Sequence, residues 1–144
     1  MPSPYVSNYG INTVTAATLT ITAAAHAGRT IVINRAAGRT ITLPDATGSG
    51  NKYTVTTIAD QTGDLVVQVP DASNTMQGIA LTDMTGVIFA TADATDTITL
   101  NGTTSGGLKG ARVELIDVAA DVWNVLVTSE SSGVEVTPFS AAVS

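Results

Sequence analysis

The chain has 144 residues and no cysteine, so its length suits one domain, and disulfide and thiolate chemistry are excluded. Only 12% of the residues are charged, against about 25% in a typical soluble domain, and the net charge at pH 7 is −6. The six basic residues are spread along the sequence, which argues against the clustered Lys and Arg of a nucleic-acid-binding surface.

A surface so poor in charge predicts that part of it is covered by identical or different subunits. The alternative is a monomer with a neutral coat of Thr and Ser, since the chain contains 24 threonines. No apolar run approaches the roughly 18 residues of a membrane span, so we expect no membrane partner. The N-terminus also lacks the basic segment and apolar run of a secretory signal.

Residues 1–12 are predicted to form an N-terminal arm, and residues 13–144 a single β-sandwich domain. The arm carries Pro2, Pro4, Tyr5 and Tyr9, which are the candidate partner-binding residues. Tyrosine supports this because it brings a large contact area at a low cost in side-chain entropy. A frayed terminus, or a strap over the protein's own core, remains the alternative.

Alternation of apolar residues with threonine marks the predicted strands in chain order. Within residues 39–43, Ile41 and Leu43 point to one face and the intervening threonines to the other. Pro44 closes this run because it cannot donate to a strand ladder, and a Gly/Ser/Asn loop leads to the next run at Tyr53. The candidate strands are residues 14–22, 30–34, 39–43, 53–56, 65–69, 78–81, 87–91, 97–100, 111–118 and 122–128.

Two near-repeats stand out along the chain. Residues 27–33 read AGRTIVI and residues 37–43 read AGRTITL. This offset of about ten residues predicts two hairpin-related strands rather than successive rungs of a solenoid. The second echo, PDAT at residues 44–47 and PDAS at residues 70–73, ends a strand each time.

These patterns together predict the fold class. No long helix is indicated, and only residues 23–28 suit a short helical turn. About nine short strands at roughly ten-residue spacing predict an all-β, antiparallel β-sandwich that resembles a jelly roll.

None of the chemically suggestive residues predicts a reactive centre. His26 is the sole histidine, and the sequence has no Gly-x-Ser-x-Gly nucleophile elbow. We therefore expect a turn or loop histidine rather than the catalytic histidine of a hydrolase. The Gly-rich residues 48–52 and 106–110 lack Ser or Thr after the lysine and run into strands, so we interpret them as loops rather than phosphate sites. No catalytic, cofactor or metal residues are predicted.

Three further patterns have structural explanations. The acidic pairs Asp60 with Asp64 and Asp93 with Asp96 lack EF-hand spacing and are typical of solvated turns rather than calcium sites. Repeated Thr-x-Thr could order water or bind ice, but its irregular spacing favours the wet face of amphipathic strands. Trp123, among alternating valines, is expected in the core.

Several segments resemble small virion proteins of tailed bacteriophages, above all capsid decoration (cement) proteins. The likeness lies in RTITLPDATGSGNKYTV at residues 39–55 and in DTITLNGTTSGG at residues 96–107. It continues in VELID at residues 113–117, in Trp123 and in TPFS at residues 137–140. It covers roughly residues 30–140.

The resemblance implies a β-rich, often trimeric protein that binds the outside of the expanded phage head and stabilises it. Its partners would be the major capsid protein and further copies of itself, with no nucleic acid or membrane. It would be made in the host cytoplasm and act on the outer capsid surface. We hypothesise that the arm and some strand-end loops grip the shell, while a threonine-rich sheet faces a sister subunit.

The alternative function is a receptor- or glycan-binding module of a phage tail fibre. Such a module would need an aromatic shelf or a metal site in its loops. Between Tyr9 and Phe139 the only aromatic residues are Tyr53, Phe89 and Trp123, which disfavours this alternative.

Overall fold

The computed structural model describes residues 10–82 and 86–144 and is built almost entirely of strands. One short helix, α1 (Ala23–His26), lies between the second and third strands. The strands are β1 (Ile11–Val14), β2 (Thr18–Thr20), β3 (Thr30–Ile33), β4 (Arg39–Thr42), β5 (Lys52–Thr57), β6 (Leu65–Gln68), β7 (Thr75–Leu81), β8 (Ile88–Ala90), β9 (Thr97–Leu100), β10 (Arg112–Ala119), β11 (Val122–Thr128) and β12 (Phe139–Ser140).

These strands form two sheets that pack face to face. The seven-stranded sheet has the order β1-β3-β5-β10-β11-β7-β8, and the five-stranded sheet has the order β12-β9-β6-β4-β2. The all-β, two-sheet architecture without a long helix is therefore confirmed.

The first six strands alternate between the two sheets. β1, β3 and β5 lie parallel in the seven-stranded sheet, and β2, β4 and β6 lie parallel in the five-stranded sheet. The chain therefore winds through three stacked coils, each with one strand in either sheet. The last six strands pair antiparallel, except that β7 runs parallel to β11.

The strand directions differ from the predicted antiparallel, jelly-roll-like pairing, because half of the ladders are parallel. The hairpin interpretation of the AGRT repeat is wrong, since β3 and β4 lie in opposite sheets and do not pair. Alternation fixes which side chains face the core, but it is the same for both directions of a neighbouring strand. Whether two neighbouring strands run parallel or antiparallel is decided by the path that the chain takes between them.

Inward side chains from both sheets form one continuous core. It contains Ile31 and Ile33 from β3, Ile41 from β4 and Val67 from β6, all fully buried. Trp123 is also fully buried, as the sequence predicted, and its ring lies 5.7 Å from that of Tyr53 at an interplanar angle of 60°. Such tilted aromatic pairs add about 0.5–1.5 kcal/mol beyond the area they bury.

The proline echo marks equivalent corners of successive coils. The register that pairs Thr42 with Gln68 aligns Pro44 with Pro70 two residues later. Asn74 is fully buried beneath both corners, where its side-chain oxygen accepts from the Ala46 N–H at 2.9 Å. Its amide group donates to the carboxylates of Asp45 and Asp71 at 3.1 and 3.2 Å. One buried amide therefore ties two turns together.

Strand boundaries depart from prediction at both ends of the chain. The run at residues 14–22 is divided between β1 and β2, and β1 begins at Ile11, inside the predicted arm. Ile11 and Asn12 pair with β3 and belong to the sheet. The tail contributes β12, which was not predicted, because Phe139 packs into the core at 8% exposure. Twelve strands stand where about nine were expected.

Candidate functional site

The outer surface of the five-stranded sheet presents threonine in two rows. One row runs Thr18, Thr40, Val66 and Thr99 across neighbouring strands. The other runs Thr20, Thr42, Gln68 and Thr97. We call the exposed and half-exposed members the threonine face: Thr18, Thr20, Thr40, Thr42, Val66, Gln68 and Thr99. Thr-x-Thr motifs with unequal sequence spacing thus come into register, because the coils differ in the lengths of their turns and not in the alignment of their strands.

The threonine face carries no charge, and most of its hydroxyl groups have no hydrogen-bond partner among the described residues. Within residues 10–82 and 86–144, no group forms a hydrogen bond with the hydroxyls of Thr18, Thr20, Thr40 or Thr42. Thr97 differs, since its buried hydroxyl donates to Asp96 at 2.7 Å. A neutral surface that offers hydroxyl donors and acceptors is suited to contact with another protein, because no ion has to be desolvated.

The outer face of the seven-stranded sheet has a different chemistry. Arg112 and Glu114 lie there on β10, 3.7 Å apart, with the first side chain exposed and the second half-exposed. Toward β7 and β8 the same sheet exposes Ile79, Leu81 and Ile88 at 40%, 37% and 58%. Register places Leu81 opposite Ile88, so these side chains form an apolar patch at that edge.

An open groove lies beside this edge, where the two sheets part. It has a volume of about 190 Å³ and is bordered by β8 of one sheet and β12 of the other. We call it the edge groove; its lining residues are Ala90, Ala92, Ala94, Thr95, Thr137, Phe139, Ser140 and Ala141.

The glycine-rich loop before β5 is a structural turn held by Asp117. The N–H groups of Thr47, Gly48 and Ser49 donate to its carboxylate at 2.9, 2.7 and 3.2 Å, and the Ser49 hydroxyl donates at 2.6 Å. The amides that would hold a phosphate are therefore already occupied by a carboxylate. This agrees with the interpretation of residues 48–52 as a loop.

The environment of Asp117 also sets its protonation. Burial alone would raise the pKa of Asp117, but the hydrogen bonds from Ser49, Gly48 and Thr47 together outweigh burial and lower it. The sequence analysis did not single out this residue. Its signal was an acid at an inward position of an alternating strand, since Val113 and Leu115 precede it on the core face.

Arg39 is a second buried charged group that the sequence analysis missed. It is 4% exposed, and its Nη2 donates to the Ala16 carbonyl. Its Nε and Nη1 atoms are buried and have no partner among the described residues. Burial lowers the pKa of Arg39, and the neighbouring Arg35 lowers it further. Its inward position on β4, two residues before Ile41, was the available signal.

His26 has a structural role. Its Nδ1 accepts from the Thr22 N–H at 3.0 Å, at the residue that caps α1, and its ring is 8% exposed. This contact satisfies a free N–H at the beginning of the helix. The interpretation as a turn histidine agrees with its place in the single turn of α1.

One member of each acidic pair accepts hydrogen bonds from the backbone. Asp60 accepts from the Lys109 N–H at 2.8 Å, while Asp96 accepts from the N–H groups of Ala142 and Val143. In the described part of the chain, no group of three or more His, Cys, Asp or Glu residues is placed to hold a metal ion.

The predicted partner-binding residues Pro2, Pro4, Tyr5 and Tyr9 lie outside the described residues, so their role stays a prediction. None of the described helices is long and apolar enough to cross a membrane. Comparisons with protein-family models, with curated proteins and with solved structures found no match to this chain.

Proposed function

We propose that this protein is a structural component of a phage virion, a cement protein that binds the outside of the expanded head. Its partners in this role are the major capsid protein and further copies of itself, most simply as a trimer. The proposal draws on the resemblance of residues 30–140 to decoration proteins and on the surface chemistry of the sandwich. The threonine face is the observation that carries it.

The threonine face suits adhesion for three physical reasons. It is continuous, because neighbouring strands in register align their threonines in rows. It is neutral, although the chain carries a net charge of −6, so an acidic partner surface is not repelled there. Its free hydroxyls can donate or accept, so they can satisfy either kind of group on a partner.

The mechanism is thermodynamic rather than chemical. A protein that binds only the expanded lattice stabilises that state by mass action. Many symmetric copies supply avidity, so each contact can be weak and still hold the shell. The acidic net charge favours an outer position, away from the packaged nucleic acid.

Cosedimentation with phage heads lacking this protein tests the proposal. We expect saturable binding to expanded heads and little binding to compact precursor heads. Binding to both forms alike, or to neither, would contradict a cement function.

A charge-insertion pair tests the threonine face itself. The double variant Thr40→Lys/Thr42→Lys places two positive charges on the face. These charges would lose their water on binding, so head binding should weaken at least tenfold. The matched control Thr54→Lys/Thr56→Lys makes the same change at equivalent positions of β5, on the outer face of the other sheet. Equal loss in both variants would remove the threonine face as the contact surface.

The tail-fibre alternative gains no support from Tyr53 or Trp123. Tyr53 and Trp123 are buried in the core, so neither can serve as a platform for a sugar ring. Glycan-array binding by the purified protein, without head binding, would favour this alternative.

A further inference from the structure

The edge groove lies between the last strands of the two sheets. β8 is the last strand of the seven-stranded sheet and β12 the last of the five-stranded sheet, so each leaves one side of its backbone unpaired by the sandwich. Natural sheet edges are usually blocked by charge, proline or a bulge. Residues 86–92, which contain β8, read GVIFATA and carry no charge or proline. This edge is therefore open to another segment of chain.

The lining of the groove indicates the chemistry of its occupant. Its sides are small and apolar, with Ala90, Ala92 and Ala141, while Phe139 packs beneath them. The hydroxyls of Thr137 and Ser140 lie in the same lining. A cavity of about 190 Å³ with this lining suits one aromatic ring that carries a hydroxyl group.

The N-terminal arm has the matching composition. Residues 1–9 read MPSPYVSNY, without a charged side chain, and contain two of the three tyrosines of the chain. Tyrosine combines an apolar ring with a hydroxyl, and it is enriched at protein interfaces for that reason. An uncharged arm can also enter an uncharged groove without desolvating an ion.

The tyrosine rings of the arm cannot reach the groove of their own molecule. The arm precedes β1, which lies at the opposite edge of the seven-stranded sheet from β8. Six spacings between neighbouring strands separate these edges by about 29 Å. From Gly10 back to Tyr5, a fully extended chain spans at most about 18 Å.

We infer that the arm of one copy binds in the edge groove of a neighbouring copy, with a tyrosine ring in the cavity. This contact joins opposite edges of the sandwich, so it is head-to-tail and closes into a ring when the rotation between copies allows. It deepens the homo-oligomer part of the proposed function and rests on that part alone. It also exchanges the two contacts of the hypothesis from sequence: the arm is assigned to a sister copy instead of the shell, and the threonine face to the shell instead of a sister copy.

Disulfide trapping tests this contact on the purified full chain. The protein has no cysteine, so each introduced thiol is unique. Chains carrying Tyr5→Cys or Tyr9→Cys are each mixed with chains carrying Ala92→Cys, under mild oxidation. We expect at least one mixture to yield a covalent dimer in high amount. Pairing either donor with Ala24→Cys, an exposed position on α1, is the control and should yield little.

Measurements of mass by light scattering complete the test. The wild-type protein should have the mass of a closed oligomer, while removal of residues 1–9, or Ala92→Arg in the groove, should yield monomers that melt normally. Ala24→Arg should leave the oligomer intact. A wild-type monomer, or an oligomer that survives removal of the arm, would overturn the inference. These experiments contain no phage heads. Their failure would therefore leave the proposed cement activity standing, and a failure to bind heads would leave the arm contact standing.

Discussion

The two halves of the chain build the same sandwich in different ways. In the coiled half, β1 to β6, each strand crosses to the opposite sheet before its neighbour is laid down in parallel. In the other half, β10 and β11 are joined by a tight turn that places Asp121 at φ 62°. Parallel neighbours cannot be joined by a two-residue turn, so the coiled half needs longer corners.

The corners of the coiled half depend on side chains, whereas the tight turn depends on backbone conformation. Asp117 holds the corner between β4 and β5 through five hydrogen bonds, and Asn74 links that corner to the next. Among the described residues, the side-chain hydrogen bond made to Asp121 of the β10–β11 turn is a long one, from the Thr75 hydroxyl to the Asp121 carbonyl at 3.4 Å. Substitutions should therefore cost most stability where a single side chain closes a long corner.

The largest effect is expected from Asp117→Ala. The substitution leaves the N–H groups of Thr47, Gly48 and Ser49 without their carboxylate, and we expect a loss of about 4 kcal/mol in unfolding free energy. Urea denaturation measures this loss. A change below about 1 kcal/mol would show that the corner is held by other contacts.

Lowering the pH should weaken the same hydrogen bonds of the Asp117 carboxylate. Because the pKa of Asp117 is lower in the folded protein, its contribution is present above the unfolded pKa of about 3.9 and is lost as pH falls through the folded value. We expect the melting temperature to drop on acidification below about pH 4. Asp117→Asn, already less stable at neutral pH, should show a smaller drop over the same range.

An intermediate effect is expected from Asn74→Ala. It leaves the buried Ala46 N–H unsatisfied and separates the aligned corners, at a cost of about 2 kcal/mol. Thermal melts measure this loss in stability. Ser73→Ala, at an exposed neighbour in the same corner, is the control. Equal losses in the two variants would argue against a specific role for the buried amide.

The smallest effect is expected from Asp121→Gly. Glycine adopts positive φ without strain, so the substitution stabilises the folded turn. It also makes the unfolded chain more flexible, which opposes this gain, so the free energy of unfolding should change by less than about 1 kcal/mol. A loss above about 2 kcal/mol would show that the Asp121 side chain anchors this turn after all. The comparison between the two halves would then fail.

Much of the fold was readable from individual residues. Ile41 and Leu43 alternate with threonine, which placed them in the core and the threonines outside, and both assignments are correct. Trp123 among alternating valines was placed in the core for the same reason. The echo of Pro44 in Pro70 was visible too, although its meaning as two aligned corners was not.

The candidate site was only partly predictable. The threonines themselves were noted, but their unequal spacing concealed that Thr18, Thr40 and Thr99 share one row, because the length of each turn does not affect the register. The edge groove had no signal, since Ala90 and Phe139 meet only when the edges of two sheets come side by side.

The sequence by itself determined that this chain is all-β, which faces of its strands are buried, and that its surface is poor in charge and rich in threonine. These properties follow from the two-residue period of a strand and from composition, which are local. Only the tertiary structure decided the strand directions, the partners of Asp117 and Arg39, and the place of the groove. Those depend on which distant segments meet, and identical alternation permits many such pairings.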